Sequence, residues 1–143
     1  MALNVEHLLR TAATLEQALH ALNKPLDPES VEYDLFRNAA IKSFELSLET
    51  AGKLLRKALK AYSGDPRGVD RLVFNDVLRQ AGKHGLFDLA AVERWLAYRA
   101  NRNSTAHDYG AQFANETLKL LPDYLADVRS LAVELQKVFD AAS

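Results

Sequence analysis

Apolar residues recur at intervals of three and four along nearly the whole chain. Val5, Leu8, Ala12, Leu15, Leu19 and Leu22 form the first such stripe and predict a helix from Leu3 to about Asn23. Asn23-Lys24-Pro25 ends it, because a proline disfavours helical backbone at the residue before it. Asp27 is the expected N-cap of the next helix, with Pro28 at its first position and Glu29 favouring the dipole. That helix runs to about Tyr62 on a stripe of Ile41, Phe44, Leu48, Ala51, Leu55, Leu59 and Tyr62, with Lys53, Arg56, Lys57 and Lys60 on its other faces. Gly52 lies inside it at a cost of about 1 kcal/mol against Ala, which points to close contact with another helix or to a kink.

Ser63-Gly64-Asp65-Pro66-Arg67-Gly68 is dense in turn residues and reads as a break. A shorter helix follows from Val73 to about Lys83, burying Phe74, Val77, Leu78 and Ala81. Lys83, His84 and Gly85 suit its C-terminus, with cations at the negative end and glycine just past it. Asp88 is placed to cap a fourth helix, along which Leu89, Val92, Trp95, Leu96 and Arg99 recur. The last stripe is Ala114, Leu118, Leu121, Leu125, Val128, Ala132, Leu135 and Phe139. Pro122 inside it either kinks a helix or begins a new one, since it lacks an N–H and clashes one turn back. Strand signals are nearly absent. Short connections favour antiparallel neighbours, so the expected fold is all-α: an up-and-down antiparallel bundle of about five helices, forming a single domain over residues 1–143.

The length suffices for a core without staples. Cysteine is absent, which excludes disulfides and thiolate metal sites. Met1–Leu9 has neither a basic leader region nor a long apolar run, and no window approaches the roughly 18 apolar residues of a membrane span. A soluble, cytoplasmic protein with no membrane association is expected. The net charge of −1 conceals an uneven distribution. From Lys42 to Arg102 there are twelve Lys/Arg against seven Asp/Glu, and from Asn103 to Ser143 three against six. The basic middle is able to form a face that holds a phosphate chain, although on charge alone solvated helix faces are the favoured reading.

The basic region ends in Tyr98-Arg99-Ala100-Asn101-Arg102-Asn103-Ser104-Thr105-Ala106-His107-Asp108-Tyr109-Gly110. A fixed cation, an imidazole and a phenol fall within eight residues, with Arg94 and Arg99 just upstream. Arg102 and His107 are five positions apart, about 500° of rotation on a continuous helix, so one straight helix does not aim both at one phosphate. The helix breaks at Asn103-Ser104-Thr105, or a second chain gathers two copies of each residue about a two-fold axis; both are expected.

Arg102, His107 and Tyr109 resemble the Arg-x4-His-x-Tyr signature of HEPN-domain proteins of the HepT branch. Arg37 to Glu49, with Phe44, Glu45 and Leu46, is similar to that family's second-helix pattern, and the Asp65-Pro66-Arg67 turn and Trp95 extend the likeness. The resemblance covers the chain from about Arg37 onward. It implies a HEPN-like bundle and the toxin of a toxin–antitoxin system: a homodimeric, metal-independent endoribonuclease acting through Arg102 and His107. It also implies a cognate minimal nucleotidyltransferase antitoxin that attaches AMP to Tyr109. ATP and Mg²⁺ would belong to that partner, because this chain has no phosphate loop and no cofactor is expected for it.

The residue chemistry suits such a role. RNA supplies its own nucleophile, the 2′-OH. His107 can accept that proton, since imidazole titrates near neutral pH. Arg102 stays charged and can bind two phosphate oxygens with its planar fork. Asn103 and Ser104 can orient the phosphate, and Tyr98 and Arg99, one turn from Arg102, are within reach of RNA. An adenylate on Tyr109 would add bulk and negative charge where the RNA phosphate must sit. His7, His20 and His84 lie at no ligand spacing, so no metal site is assigned. Glu45 and Glu49 share a helix face and read as solvated or salt-bridged, with Glu45 able to hold Arg102. Trp95 reads as core or dimer interface. Two other readings stand beside this one: a non-catalytic substrate-binding adaptor of a two-component nucleotidyltransferase, and a plain structural bundle.

Overall fold

The computed structural model describes the backbone of residues 5–105 and 111–142 and the side chains of residues 5–102 and 115–141. Among these residues there are six helices and no strand: α1 (Glu6–Leu22), α2 (Val31–Tyr62), α3 (Pro66–Arg71), α4 (Phe74–Lys83), α5 (Leu89–Thr105) and α6 (Ala111–Ala142). None is long and apolar enough to cross a membrane. The helices α1, α2 and α6 pack on one another, and α4 and α5 complete the bundle, α4 against α2 and α5 against α6. Contacts between α5 and α6 join Arg94 and Tyr98 to Asp127 and Asn101 to Thr117, the pattern of antiparallel neighbours.

Local chemistry sets the helix ends. Ser30, not Asp27, caps α2, its hydroxyl accepting from the Tyr33 N–H at 3.1 Å. The Asp27 carboxylate instead accepts from the Glu29 N–H, closing a side-chain turn that keeps Pro28 outside the helix. The expected break at 63–68 contains the start of α3. Asp65 caps it by accepting from the Gly68 N–H at 3.0 Å, and Pro66 supplies a preset φ at the first position. The turn residues thus begin a short helix as well as ending a long one.

Helix α4 ends as its sequence implies. Gly85 takes a φ of 78°, and the Leu86 N–H reaches back to the Ala81 carbonyl. Asp88 caps α5 through the Ala91 N–H at 2.8 Å. Leu89, placed in the buried stripe by its spacing, is 82% exposed. It occupies the first position of α5, before the helix turns its apolar face inward. Pro122 begins no new helix: α6 is continuous through it. The Pro122 ring faces solvent while Leu121 and Tyr124 are fully buried beside it, and that packing offsets the missing hydrogen bond.

Four aromatic side chains fill the core between α2, α5 and α6. Tyr124 meets Phe44, Tyr98 and Trp95 edge-on at ring separations of 4.8, 5.0 and 5.7 Å. Such contacts orient the rings as well as burying them. Trp95 is a core residue, and Phe87 stacks on its outer side. The buried Tyr124 phenol shares a 2.6 Å hydrogen bond with the Ser47 hydroxyl, so it is not left unsatisfied. Tyr62, expected on the buried stripe, is instead half exposed and stacked on His84.

Candidate functional site

The helix α5 has two polar faces, and their partners differ. On one, the Asp127 carboxylate accepts two hydrogen bonds from Arg94, at 2.8 and 2.9 Å, and a third from the Tyr98 hydroxyl. Burial, the hydrogen bond to Asp127 and its negative charge all raise the Tyr98 phenol above the ordinary tyrosine value. Asp127 likewise holds Arg94 firmly protonated. Tyr98 is therefore a buried tether between α5 and α6, not a side chain within reach of RNA. One turn on, the buried Thr117 hydroxyl donates to Asn101 at 2.9 Å and fastens the start of α6 to the end of α5.

The other face holds Arg99 and Arg102, three residues and one turn apart. Arg102 approaches Glu45 of α2 at 3.9 Å, an ion-pair separation and too long for a hydrogen bond. The pairing of Glu45 with Arg102 is the one its sequence position suggests. The Arg99 guanidinium lies over the Phe74 ring at 4.6 Å from the centroid, a cation–π contact. That contact depends on Gly52. A Cβ there would stand 2.5 Å from the Phe74 ring, so only glycine lets the ring lie on α2. The glycine marks close helix contact, one of the two readings its position allowed.

These residues line an open groove of about 300 Å³. Leu48, Gly52 and Phe74 give it an apolar floor, and Lys53, Arg56, Arg99 and Arg102 surround that floor with Glu45 and Glu49. Lys53 pairs with Glu49 at 3.5 Å, but both are well exposed, so water and salt weaken the attraction. Arg56 donates to the Val69 carbonyl at 3.0 Å, which fixes its position without neutralising it. Among the described residues Arg99 has no carboxylate partner. Four cations against two carboxylates leave the groove positive.

The structure thus brings together two of the sequence-predicted residues, Arg99 and Arg102. The helix does not break at Asn103-Ser104-Thr105, because α5 continues through all three. The side chains of Asn103 and Ser104 lie outside the described set, as do His107 and Tyr109. Phe74, Lys53 and Arg56 were not among the predicted site residues. A signal for α2 was present: Glu45, Glu49, Gly52, Lys53 and Arg56 recur at helical spacing and define a second, polar stripe.

Comparison with known proteins agrees with this fold. Residues 3–137 match the family described as nucleotidyltransferase substrate binding protein like, and the chain belongs to that family. A Haemophilus influenzae protein named Probable ribonuclease HepT is 28% identical over 108 residues, covering 76% of this chain and 73% of the relative. The resemblance to HepT proteins is thus supported over most of the chain. A Haemophilus influenzae structure, described as revealing the fold of a substrate-binding domain of a nucleotidyltransferase, superposes with a TM-score of 0.81 at 26% identity. That match covers 93% of this chain and 99% of the other. A crystal structure from Thermus thermophilus superposes with a TM-score of 0.71, also at 26% identity, covering 90% of this chain and 98% of the other.

Proposed function

We propose that the chain is a HEPN-type endoribonuclease and the toxin of a toxin–antitoxin pair, cutting RNA at Arg102 and His107. The observation that carries this reading is the positive groove: Arg102 stands on its rim beside Arg99, in a chain whose relative is named a ribonuclease. In the reaction, His107 takes the proton of the ribose 2′-OH, and the 2′-oxygen attacks the adjacent phosphorus. The bond to the 5′-oxygen breaks, and that oxygen receives a proton. A homodimer with two-fold symmetry brings a second imidazolium, the His107 of the other copy, to donate it. Arg102 stabilises the charge that builds on the phosphoryl oxygens. Arg99 holds the substrate nearby, with Asn103 and Ser104 orienting the phosphate. None of these steps calls on a metal ion.

The antitoxin in this reading is a minimal nucleotidyltransferase: the Tyr109 phenol oxygen bonds to the α-phosphorus of ATP, and pyrophosphate leaves. The new phosphate stands two residues from His107 and repels the RNA backbone. The test is incubation of the purified chain with total cellular RNA and EDTA, beside a His107→Ala control. Cleavage that persists with chelator and disappears in the variant supports the reading. A dimeric, unmodified preparation that leaves RNA intact overturns it. The description of the Haemophilus structure as a nucleotidyltransferase substrate-binding domain favours a second reading, the non-catalytic adaptor. Under that reading, expression of the chain alone is harmless, and a nucleotidyltransferase still binds the His107→Ala variant.

A further inference from the structure

We propose that the groove between α2, α4 and α5 is a nucleotide subsite, which takes the base and phosphate of an RNA residue flanking the scissile bond. The inference rests on the ribonuclease reading and adds a binding element that the Arg-x4-His motif does not contain. Three observations converge on it. The Arg99 guanidinium lies over the Phe74 ring, so the ring backs and orients a planar cation on the groove wall. Bases stack on aromatic rings and on guanidinium planes with little regard to sequence. The surrounding charge is positive, and its two carboxylates face other cations: Glu45 faces Arg102 and Glu49 pairs with Lys53. Arg99 and Arg56 face no carboxylate among the described residues, and Lys53, whose exposed pair with Glu49 is weak, can turn to an anion as well.

Geometry also places the subsite relative to the chemistry. Arg99 and Arg102 lie on one face of α5, separated along its axis by about 4.5 Å. A strand whose scissile phosphate rests on Arg102 has its neighbouring nucleotide beside Arg99. The Phe74 ring lies below Arg99, and Lys53 and Arg56 also line the groove. The groove is too open to read base edges, so this subsite confers affinity and direction rather than sequence choice.

The test uses the full-length chain and a 2′-O-methyl RNA oligonucleotide, which lacks the attacking hydroxyl and so stays intact. Binding is followed by fluorescence anisotropy over a series of salt concentrations. Arg99→Gln should weaken binding about tenfold and lower the salt slope by about one. Lys53→Gln, at an exposed position that cannot upset the fold, should lower the slope similarly. Phe74→Leu keeps an apolar side chain on Gly52 but removes the ring, and should weaken binding about fivefold or more with the slope unchanged. Melting curves identify any variant that misfolds. If wild type binds and cuts RNA while folded Arg99→Gln, Lys53→Gln and Phe74→Leu bind it equally well, the subsite is wrong and the ribonuclease reading stands. If wild type neither binds nor cuts RNA, both fall together.

Discussion

The two polar faces of α5 carry arginines of identical chemistry in opposite circumstances. Arg94 is tied by two short hydrogen bonds to a carboxylate that also receives Tyr98, so its charge is already answered within the fold. Arg99, about a turn and a half along, rests on an aromatic ring and has no carboxylate among the described residues. Arg102 approaches Glu45 at 3.9 Å, beyond hydrogen-bond reach of that carboxylate. The first arrangement joins helices; the second leaves positive charge facing an open groove. Residue type does not separate structural from functional arginines on this helix. The partners across the interface do.

The contrast is tested most strongly at Arg102. Arg102→Ala should lower RNA cleavage at least about 100-fold, through loss of charge stabilisation in the transition state. Loss of the partly exposed pair with Glu45 should itself cost little unfolding free energy, because such a pair is weak. Cleavage of a labelled RNA and urea unfolding of the same preparation give both numbers. Asp127→Ala should do the reverse. It strands the buried Tyr98 hydroxyl at a cost of about 1–3 kcal/mol, visible as a lower urea midpoint, and leaves cleavage per folded molecule unchanged.

Gly52→Ala probes the border between the faces. The added methyl must push Phe74 off α2 and with it the Arg99 contact, so RNA affinity should fall severalfold in the anisotropy assay. Stability should move by about 1 kcal/mol or less, because the gain in helix propensity offsets the cost of repacking. The smallest effect near neutrality is the pH response of the locked face. Unfolded tyrosine ionises near pH 10. Burial holds the Tyr124 phenol protonated to higher pH, and burial with Asp127 does the same for Tyr98. Their contribution is whole below about pH 10 and is lost as pH rises through the folded values. Urea midpoints measured across that range should fall for wild type and fall less steeply for Tyr98→Phe.

The helices were legible because each buries one periodic stripe, and a stripe is visible without knowing what it packs against. Gly85 and Asp88 were legible for a similar reason, since each acts on its own turn. Ser30 displaced Asp27 as a cap because the two lie three residues apart and either could have served. Tyr124 and Thr117 escaped because aliphatic periodicity passes over residues whose burial depends on a hydrogen bond supplied from α2 or α5. Arg102 and Arg99 were found through a motif. The groove beside them was not, because it joins positions near 50, 74 and 100, and only packing brings those together. Phe74 looked like an ordinary core residue by its spacing, yet it is the floor of an open groove.

The hydrogen bond between Thr117 and Asn101 spans sixteen positions and closes a ring of backbone around the segment that holds His107 and Tyr109. The bond therefore works as a clamp where the chain leaves α5 and where it comes back in α6. Thr117→Val would keep the buried volume and open the clamp, so the spacing of the two helices at that level would rest on apolar packing alone.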